Sequence, residues 1–350
     1  MHFTLVLNYI FYEEKKNIFI LLPALILILL YFQAKKPIIK TKTERKFFTG
    51  TNIKLCEAII IPGIIDGIQI DGDNLWVNQR FSILKYNKSK IKQLIINTNN
   101  LAVNSPIINF HISQDSLFYY QGNTSTINFV DLKNKTKNQL YFNFSISYFI
   151  KSKGYSFIFQ ENVIDKNSSQ IKYKNYGNGV ELINNNVFSL DVGSSMKYSG
   201  CFLSNNDESS FLFVPFYDGY IFCLDYQGNL KFKYKSIDFQ NEKLEIIKEG
   251  DTFFLSPSAN ILRMCATVYK EDIFLTSNVK SLNQTDVDFN TKPTVDVYSI
   301  KNGKYKFSFY LPHYADVSPS DFKITNSGKL YVLYGNTILV YDISQLEKAK

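Results

Sequence analysis

The chain has 350 residues, 45% of them apolar, which is enough to bury a core without a disulfide or a metal as a staple. Its formal net charge of +8 comes largely from lysines scattered singly along the chain, which argues against the concentrated basic face of a nucleic-acid-binding protein. The 30 Phe and 24 Tyr residues, against one Trp and three Met, are typical of a strand-rich fold, because bulky aromatic side chains pack well on a pleated sheet. We therefore expect an all-β protein without a nucleic-acid partner.

An apolar run near the N-terminus predicts a single membrane span. Residues 18–32 are apolar, and the neighbouring residues extend the run toward the roughly 20 that a spanning helix needs. We predict a short tail over residues 1–16 and an uncleaved signal-anchor helix over residues 17–34. A cleaved signal peptide is the alternative, but Phe32 occupies a position where the cleavage site needs a small side chain.

A basic linker follows over residues 35–54, and it bears on which side of the membrane the rest of the chain lies. Two lysines precede the span and six basic residues follow it, so the positive-inside rule alone would place the C-terminal domain in the cytoplasm. A single short hydrophobic segment ahead of an all-β domain, however, resembles the arrangement of many exported proteins. We expect the domain on the exported side, periplasmic or extracellular, at the cell envelope. The six basic residues are Lys35, Lys36, Lys40, Lys42, Arg45 and Lys46.

A pattern of short strands recurs six times between residues 55 and 350. Each copy has an aromatic-aliphatic strand, a gap, an alternating strand that ends in Tyr or Asp, a polar turn and a third strand. The fourth copy is the most regular, with SFLFVP at 210–215, GYIFCLD at 219–225 and LKFKY at 230–234. In the weaker third copy we predict one strand over 155–159 and a second strand that begins at Val163. The copies begin near Gly72, Asp115, Tyr155, Ser210, Asp272 and Gly328.

Each copy predicts a small antiparallel meander, with period-two alternation along the strands and Gly or Asn in the tight turns. One such sheet cannot cover both of its faces, so the copies must stack, and closing the stack into a ring protects the sheet edges. We predict a six-bladed β-propeller over residues 55–350. A seventh blade within residues 172–199 stays open, and a pair of β-sandwiches or an open β-solenoid is the alternative fold.

The fourth copy also carries a resemblance to a known class of fold. Its residues Asp218-Gly219-Tyr220-Ile221-Phe222-Cys223-Leu224-Asp225, followed by Gly228-Asn229-Leu230, resemble a generic blade of the superfamily of six-bladed and quinoprotein-like propellers. The resemblance implies a fold and no particular function. Quinoprotein dehydrogenases carry a tryptophan in nearly every repeat, whereas this chain has only Trp76, so we predict no quinone and no other cofactor.

The four cysteines, Cys56, Cys201, Cys223 and Cys265, include no Cys-x-x-Cys pair and therefore predict no metal site. Cys201 and Cys223 lie in one repeat, and a disulfide between them is open for an exported chain. Buried free thiols, which behave as small apolar side chains, are the interpretation that we favour.

Histidine is nearly absent, with only His2, His111 and His313. His313 lies with Asp316 in the connector 311–319, and such loops carry function more often than strands do. We predict that His313 and Asp316 contact a ligand without a catalytic role, because a His, an Asp and a Ser within one loop rarely have the geometry of a catalytic triad. His111 is expected to be an ordinary strand residue that faces the sheet or the solvent.

Four aspartates, Asp66, Asp218, Asp272 and Asp321, lie near the starts of repeats. We predict the last three as further ligand-binding candidates. Convergence of three of the four within about 6 Å around the central axis, with the oxygen geometry of a calcium site, would favour an enzyme. Without it, we predict no catalytic residue and no metal ligand.

No motif specifies a reaction, so the function that we expect is non-catalytic. The hypothesis is a membrane-anchored propeller that binds a protein partner or a small ligand at one face of the ring. The alternative is a propeller hydrolase or lyase that acts on a carbohydrate or lactone-like substrate with axial carboxylates. A purely structural, stalked spacer is a third, weaker hypothesis.

Overall fold

The structure is a computed structural model, and it describes residues 38, 40–48, 53–87, 92–98, 105–113, 115–122, 124–154, 156–163, 168–184, 187–188, 194–204, 210–239, 244–250, 252–256, 259–315 and 317–349. Residues Lys40–Lys350 form one compact unit, distinct from the unit Met1–Ile39. The predicted span at 17–34 lies outside the described residues. No helix within the described part of the chain is long and apolar enough to cross a bilayer.

Twenty-four of the strands build six antiparallel sheets of four strands each. The first strand is β1 (Lys54–Ile60). Blade 1 contains β2 (Gly67–Asp71), β3 (Asn74–Gln79), β4 (Ser82–Tyr86) and β5 (Lys92–Asn97). Blade 2 contains β6 (Ile107–Ser113), β7 (Ser116–Gln121), β8 (Thr126–Asp131) and β9 (Lys137–Tyr141). Blade 3 contains β10 (Ser145–Lys151), β11 (Ser156–Val163), β12 (Ser168–Asn175) and β13 (Glu181–Asn184).

The second half of the ring follows the same plan, with additional elements in its connections. The short helix α1 (Ser194–Lys197) precedes blade 4, which contains β14 (Gly200–Ser204), β15 (Ser210–Pro215), β16 (Tyr220–Asp225) and β17 (Leu230–Lys235). A separate hairpin of β18 (Ile246–Glu249) and β19 (Thr252–Leu255) comes next. Blade 5 contains β20 (Ala266–Tyr269), β21 (Asp272–Ser277), the helix α2 (Asp286–Thr291), β22 (Thr294–Ser299) and β23 (Tyr305–Tyr310). Blade 6 contains β24 (Asp321–Ile324), β25 (Lys329–Tyr334) and β26 (Thr337–Asp342), and the 3₁₀ helix η1 (Ser344–Ala349) follows it.

The N-terminal strand closes the ring. β1 pairs antiparallel with β26, from Lys54 opposite Asp342 to Ile60 opposite Thr337, and so supplies the outermost strand of blade 6. The first strands of the blades lie innermost, and each contacts the next around a full circle: β2 with β6, β6 with β10, β10 with β14, β14 with β20, β20 with β24, and β24 with β2. The protein is therefore a closed six-bladed propeller, which excludes the open solenoid, the paired sandwiches and a seventh blade.

The period-two alternation predicted from the sequence explains how the blades hold together. Leu117 and Tyr119 of β7 pack toward blade 1, whereas Phe118 and Tyr120 of the same strand pack toward blade 3. The buried apolar residues form six clusters, and each cluster fills the junction between two neighbouring blades, including the junction of blade 6 with blade 1. Both faces of every sheet are thus covered only when all six blades are present.

The two faces of the ring follow from the alternating strand directions. Loops after the second and fourth strands of a blade lie on one face, which we call the upper face, and loops after the first and third strands lie on the lower face. The hairpin β18–β19 follows the fourth strand of blade 4, and α2 follows the second strand of blade 5. The largest insertions into the blade pattern therefore lie on the upper face.

Residues 40–48, which the sequence assigns to the basic linker, run as an extended arm along blades 4 and 5. We call this segment the N-terminal arm. The Phe48 amide donates to the Ser308 carbonyl at 2.8 Å, and the Ser308 amide donates to the Lys46 carbonyl at 2.9 Å, so the arm extends the outer edge of blade 5. At its start, the Thr41 amide donates to the Lys280 carbonyl at 2.8 Å on the upper face.

Arg45 fixes the arm through a buried network. Its side chain is fully buried, and its Nε and Nη2 donate to the two carboxylate oxygens of Asp296 at 2.8 and 3.0 Å. Nη2 also donates to Asp238 Oδ1 at 2.5 Å and to Ser277 Oγ at 2.6 Å, and Nη1 donates to the Val279 carbonyl at 2.7 Å. Burial alone would lower the pKa of Arg45, but the two carboxylates raise it well above its ordinary value. Because Asp238 follows blade 4 and Asp296 belongs to blade 5, one guanidinium joins the two blades.

The structure differs from the sequence prediction in the third copy, and it answers the question of a disulfide between Cys201 and Cys223. In the third copy, Val163 ends β11 instead of beginning the second strand, and the next described strand begins at Ser168. All four cysteines are free thiols. Cys201 lies in β14 and Cys223 in β16, and β15 separates the two strands, so no disulfide joins them.

Candidate functional site

The inner strands of all six blades surround an axial cavity of about 330 Å³. It is lined by 68–70 of β2, 108–111 of β6, 148–150 of β10, 201–204 of β14, 266–268 of β20, and Asp321, Lys323 and Ile324 of β24, among others. An inner strand pairs on one side only, which leaves its other edge directed toward the axis. The unpaired backbone groups of these edges make the cavity polar.

Asp321 and Lys323 form an ion pair in this cavity. The Lys323 ammonium lies 2.6 Å from Asp321 Oδ1, and Asp321 Oδ2 accepts a hydrogen bond from the Ile68 amide at 2.9 Å. Burial alone would lower the pKa of Lys323, but the charge of Asp321 raises it. Asp321 thus binds the first strand of blade 1 to that of blade 6, and both of its oxygens are engaged within the protein.

His111 also lines the axial cavity, where sequence reasoning treated it as an ordinary strand residue. Burial, reinforced by the positive charge of Lys151, lowers the pKa of His111 to about 4. The imidazole is therefore neutral near neutral pH. The sequence placed His111 in a strand, but no local pattern shows that this strand, β6, is an innermost one.

Asp66 is the second aspartate on the axis. Burial raises the pKa of Asp66, and the charge of Arg80 together with a backbone hydrogen bond from Arg80 opposes that shift. Arg80 adopts the left-handed backbone region, with φ of 54°, in the turn between β3 and β4. Asp66 and Asp321 therefore both face the axial cavity, each with a basic neighbour.

The other two aspartates do not reach the axis. Asp218 lies in the loop between β15 and β16, where it accepts the Tyr220 amide at 3.0 Å and pairs with Lys197 at 3.2 Å. Asp272 begins β21 and pairs with Lys306. The convergence of three aspartates that would favour an enzyme is thus absent, and no metal-binding group of three or more His, Cys, Asp or Glu residues occurs among the described residues.

A second cavity, of about 410 Å³, opens on the upper face between the insertion of blade 5 and the connector to blade 6. We call it the upper-face pocket. His313, Val317 and Pro319 of the connector form one side, and Phe289 and Pro293 of the insertion form another. The remaining lining residues are Met264, Thr276, Ser277, Asn278, Asn290, Thr291, Thr294 and Ser318. The predicted candidate His313 thus lines a cavity, whereas Asp316 lies outside the described residues.

The upper-face pocket is lined by apolar and polar side chains, and hydrogen bonds hold its two sides in place. α2 begins at an N-cap, where Thr285 Oγ1 accepts the Asp288 amide at 3.0 Å. The connector is tied to blade 6, since the Tyr334 hydroxyl donates to the Pro312 carbonyl at 3.2 Å. Met264 lines both this pocket and the axial cavity, so the two cavities adjoin. The arrangement fits a ligand with both apolar and hydrogen-bonding groups.

No family model matches the sequence, and no curated protein matches it. The structure is similar to a chain in the crystal structure of the mitotic checkpoint complex, at 10% identity and a TM-score of 0.53, over 86% of this chain and 95% of that one. It is similar to a catalytically inactive virginiamycin B lyase from Staphylococcus aureus with quinupristin, at 12% identity and a TM-score of 0.52, over 83% and 100%. It is also similar to the β-propeller domain of Cps50 from Myceliophteria thermophila, at 8% identity and a TM-score of 0.50, over 84% and 100%.

At these identities the likenesses establish the fold alone. The structural matches are β-propellers, and they include a virginiamycin B lyase and a chain of a protein complex. Together with the closed ring of six sheets, they place this chain in the class of six-bladed β-propellers, and no narrower family is defined.

Proposed function

We propose that this protein is a non-catalytic binding propeller, anchored in the membrane by residues 17–34 with the ring on the exported side, whose upper-face pocket receives a segment of a protein partner. The observation that carries the proposal is the upper-face pocket itself. The helix α2, an insertion that the blade pattern does not need, and the connector with His313 build it on the closed ring.

A protein segment suits this pocket better than a small metabolite does. The pocket is open to the upper face, and Met264 and Val317 on its wall are exposed by 38% and 42%. Exposed apolar side chains around a concave site are typical of surfaces that bind proteins. One structural neighbour, in the mitotic checkpoint complex, is a propeller crystallised within a protein assembly, which is consistent with this use of the fold.

The test is a pull-down with the full-length protein from detergent-solubilised membranes. Val317→Asp and His313→Ala should lose the bound partner. The first substitution places a charge beside the apolar side chains of the pocket, and the second removes a polar contact group. Lys301→Ala, in an exposed lower-face turn of the same blade, should retain the partner. Equal retention by all three folded variants would refute binding at the upper-face pocket.

The alternative, a hydrolase or lyase for a carbohydrate or lactone-like substrate, is supported by Asp66, His111 and Asp321 in one cavity. A neutral imidazole can accept a proton from a substrate, but a pKa of about 4 makes His111 a weak base near neutral pH. Against it, both oxygens of Asp321 are already engaged by Lys323 and the Ile68 amide. Turnover of a lactone panel that Asp66→Asn and His111→Gln abolish, and that Val317→Asp leaves intact, would favour the enzyme over the binding module.

A further inference from the structure

We infer that Arg45 positions the upper-face pocket, and that docking of the N-terminal arm on the ring therefore sets how tightly the pocket binds its partner. The inference rests on the proposed function and adds regulation of the same site, because the partner binds tightly only while the arm is docked. The arm, the insertion of blade 5 and the pocket all belong to the compact unit Lys40–Lys350.

The Arg45 guanidinium holds two of the side chains that line the pocket, one directly and one through Gln284. Its Nη2 donates to Oγ of the lining residue Ser277 at 2.6 Å. Its Nη1 donates to Gln284 Oε1 at 3.2 Å, and Gln284 Nε2 donates to Oγ1 of the lining residue Thr294 at 3.0 Å. Ser277, Gln284 and Thr294 are buried, so bulk water does not replace a hydrogen bond that is lost there. The orientation of both lining side chains therefore depends on the guanidinium.

The arm also lies beside the segment that leads from β21 into α2. The Thr41 amide donates to the Lys280 carbonyl at 2.8 Å, and the Leu282 amide donates to the Thr43 carbonyl at 3.3 Å, so the two segments run parallel. α2 follows this segment directly and supplies Phe289 to the wall of the pocket. The arm therefore fixes the position at which that wall begins.

Asn283 clamps the arm at Arg45. Its Oδ1 accepts the Arg45 amide at 3.1 Å and its Nδ2 donates to the Arg45 carbonyl at 2.8 Å, so one side chain satisfies both backbone groups of the arginine. Asn283 is exposed, whereas the Arg45 side chain is fully buried. Loss of the Asn283 side chain should therefore loosen the arm without opening the core of the protein, which makes Asn283→Ala a mild test of the same coupling.

The coupling between the arm and the pocket acts in both directions. If the docked arm raises the affinity of the pocket for its partner, the bound partner stabilises the docked arm by the same factor. Couplings between two sites in proteins typically change affinity by about 5–150-fold. We expect Arg45→Met, which removes all of the guanidinium contacts, to weaken partner binding within that range, and Asn283→Ala to weaken it less.

Hydrogen exchange of the purified full-length protein, followed by mass spectrometry, tests the position of the wall without a partner. The amides of residues 279–289 should exchange about fivefold faster or more in Arg45→Met and in Asn283→Ala than in the wild type, because the arm holds this segment. Phe157→Ala is the control for stability, since it empties a buried site at the junction of blades 2 and 3 and destabilises the protein to a similar degree as the loss of Arg45. Asn302→Ala, in an exposed lower-face turn, is the control for Asn283→Ala. In both controls the segment should exchange as it does in the wild type.

Photo-crosslinking of the full-length protein in its native membrane tests the affinity of the pocket. With benzoylphenylalanine at position 317, the yield of the crosslinked partner should fall by about fivefold or more in Arg45→Met and by less in Asn283→Ala. The two controls should give the wild-type yield, at a temperature at which circular dichroism shows every variant to be folded. If Arg45→Met does not fold, Asn283→Ala carries both measurements, because its side chain is exposed.

Wild-type exchange of residues 279–289 in both arm variants would overturn the inference, even with a crosslinked partner at position 317. The same changes in Phe157→Ala would also overturn it, because the arm would then act through overall stability alone. Faster exchange with an unchanged crosslinking yield would overturn the regulation of binding. A wild type that gives no crosslinked partner would refute the proposed function and the regulation with it, whereas faster exchange in the two arm variants would still establish that Arg45 positions the pocket.

Discussion

Arg45→Met tests how much the buried arginine of the N-terminal arm stabilises the ring. It removes a fully buried cation and leaves the carboxylates of Asp238 and Asp296 buried without their shared partner. Removing one member of a buried ion pair typically costs about 3–5 kcal/mol. At about 2 °C per kcal/mol for a domain of this size, the midpoint of thermal unfolding should fall by about 6–10 °C.

The assay is thermal unfolding of the purified protein, followed by near-ultraviolet circular dichroism, with Lys46→Met as the control. Lys46 is the adjacent basic residue, and its side chain is exposed, so its loss should change stability by less than about 0.5 kcal/mol. The double variant Arg45→Met/Asp238→Asn should recover part of the loss, because it removes one of the stranded charges. If Arg45→Met unfolds at the same temperature as Lys46→Met, the assignment of Arg45 as the link between blades 4 and 5 is wrong.

Three further outcomes follow from the structure. Burial and the neighbouring charge of Asp296 raise the pKa of Asp238 to about 6. The stability that protonated Asp238 contributes is therefore fully present below about pH 4 and is lost as the pH rises through 6. Urea titrations should show this loss, up to about 1.4 kcal/mol per pH unit, in the wild type and not in Asp238→Asn. The opposite sign holds for His111, whose pKa of about 4 makes the wild type lose stability as the pH falls from about 6.5 to 4; the same titrations should show His111→Gln without that loss. Gly303→Ala should destabilise the protein by more than Gly335→Ala. Both glycines have positive φ, 64° and 59°, but only at Gly303 would the new Cβ collide with the Tyr234 ring. Equal midpoints of urea unfolding would contradict the close packing of Gly303 against Tyr234.

The strands of the middle of each blade were predictable from the sequence, and the innermost strands were not. Strands such as β15 and β16 have both faces buried by apolar residues, so their pattern stands out clearly. Inner strands such as β6 and β24 carry His111, Asp321 and Lys323 toward the axis, and those polar residues interrupt the apolar pattern. The lining of the axial cavity was therefore only partly predicted.

The closure of the ring and the role of Arg45 were beyond the reach of sequence periodicity. The pairing of β1 with β26 joins residues that are 277 to 288 positions apart, from Ile60 opposite Thr337 to Lys54 opposite Asp342, and no local pattern encodes it. Arg45 lies among lysines in the sequence, which predicts only a basic linker. Only the fold brings Asp238 and Asp296 to Arg45, because they lie 193 and 251 residues further along the chain.

The placement of His313 was predictable for a physical reason. A connector between blades must cross a face of the ring, and a connector with two prolines and polar residues does not continue a strand. What the sequence left open was the other wall of the pocket. That wall comes from α2, an insertion between β21 and β22 that is not part of the repeated strand pattern.

Photo-crosslinking of the full-length protein in its native membrane is the most direct test of the proposed binding function. Benzoylphenylalanine at position 317 places the reactive group in the upper-face pocket, and the same group at position 301 places it on the lower face. We expect a discrete crosslinked partner from position 317 that His313→Ala diminishes, and none from position 301. The same partner from both positions, or crosslinks from position 301 alone, would contradict a binding site on the upper face.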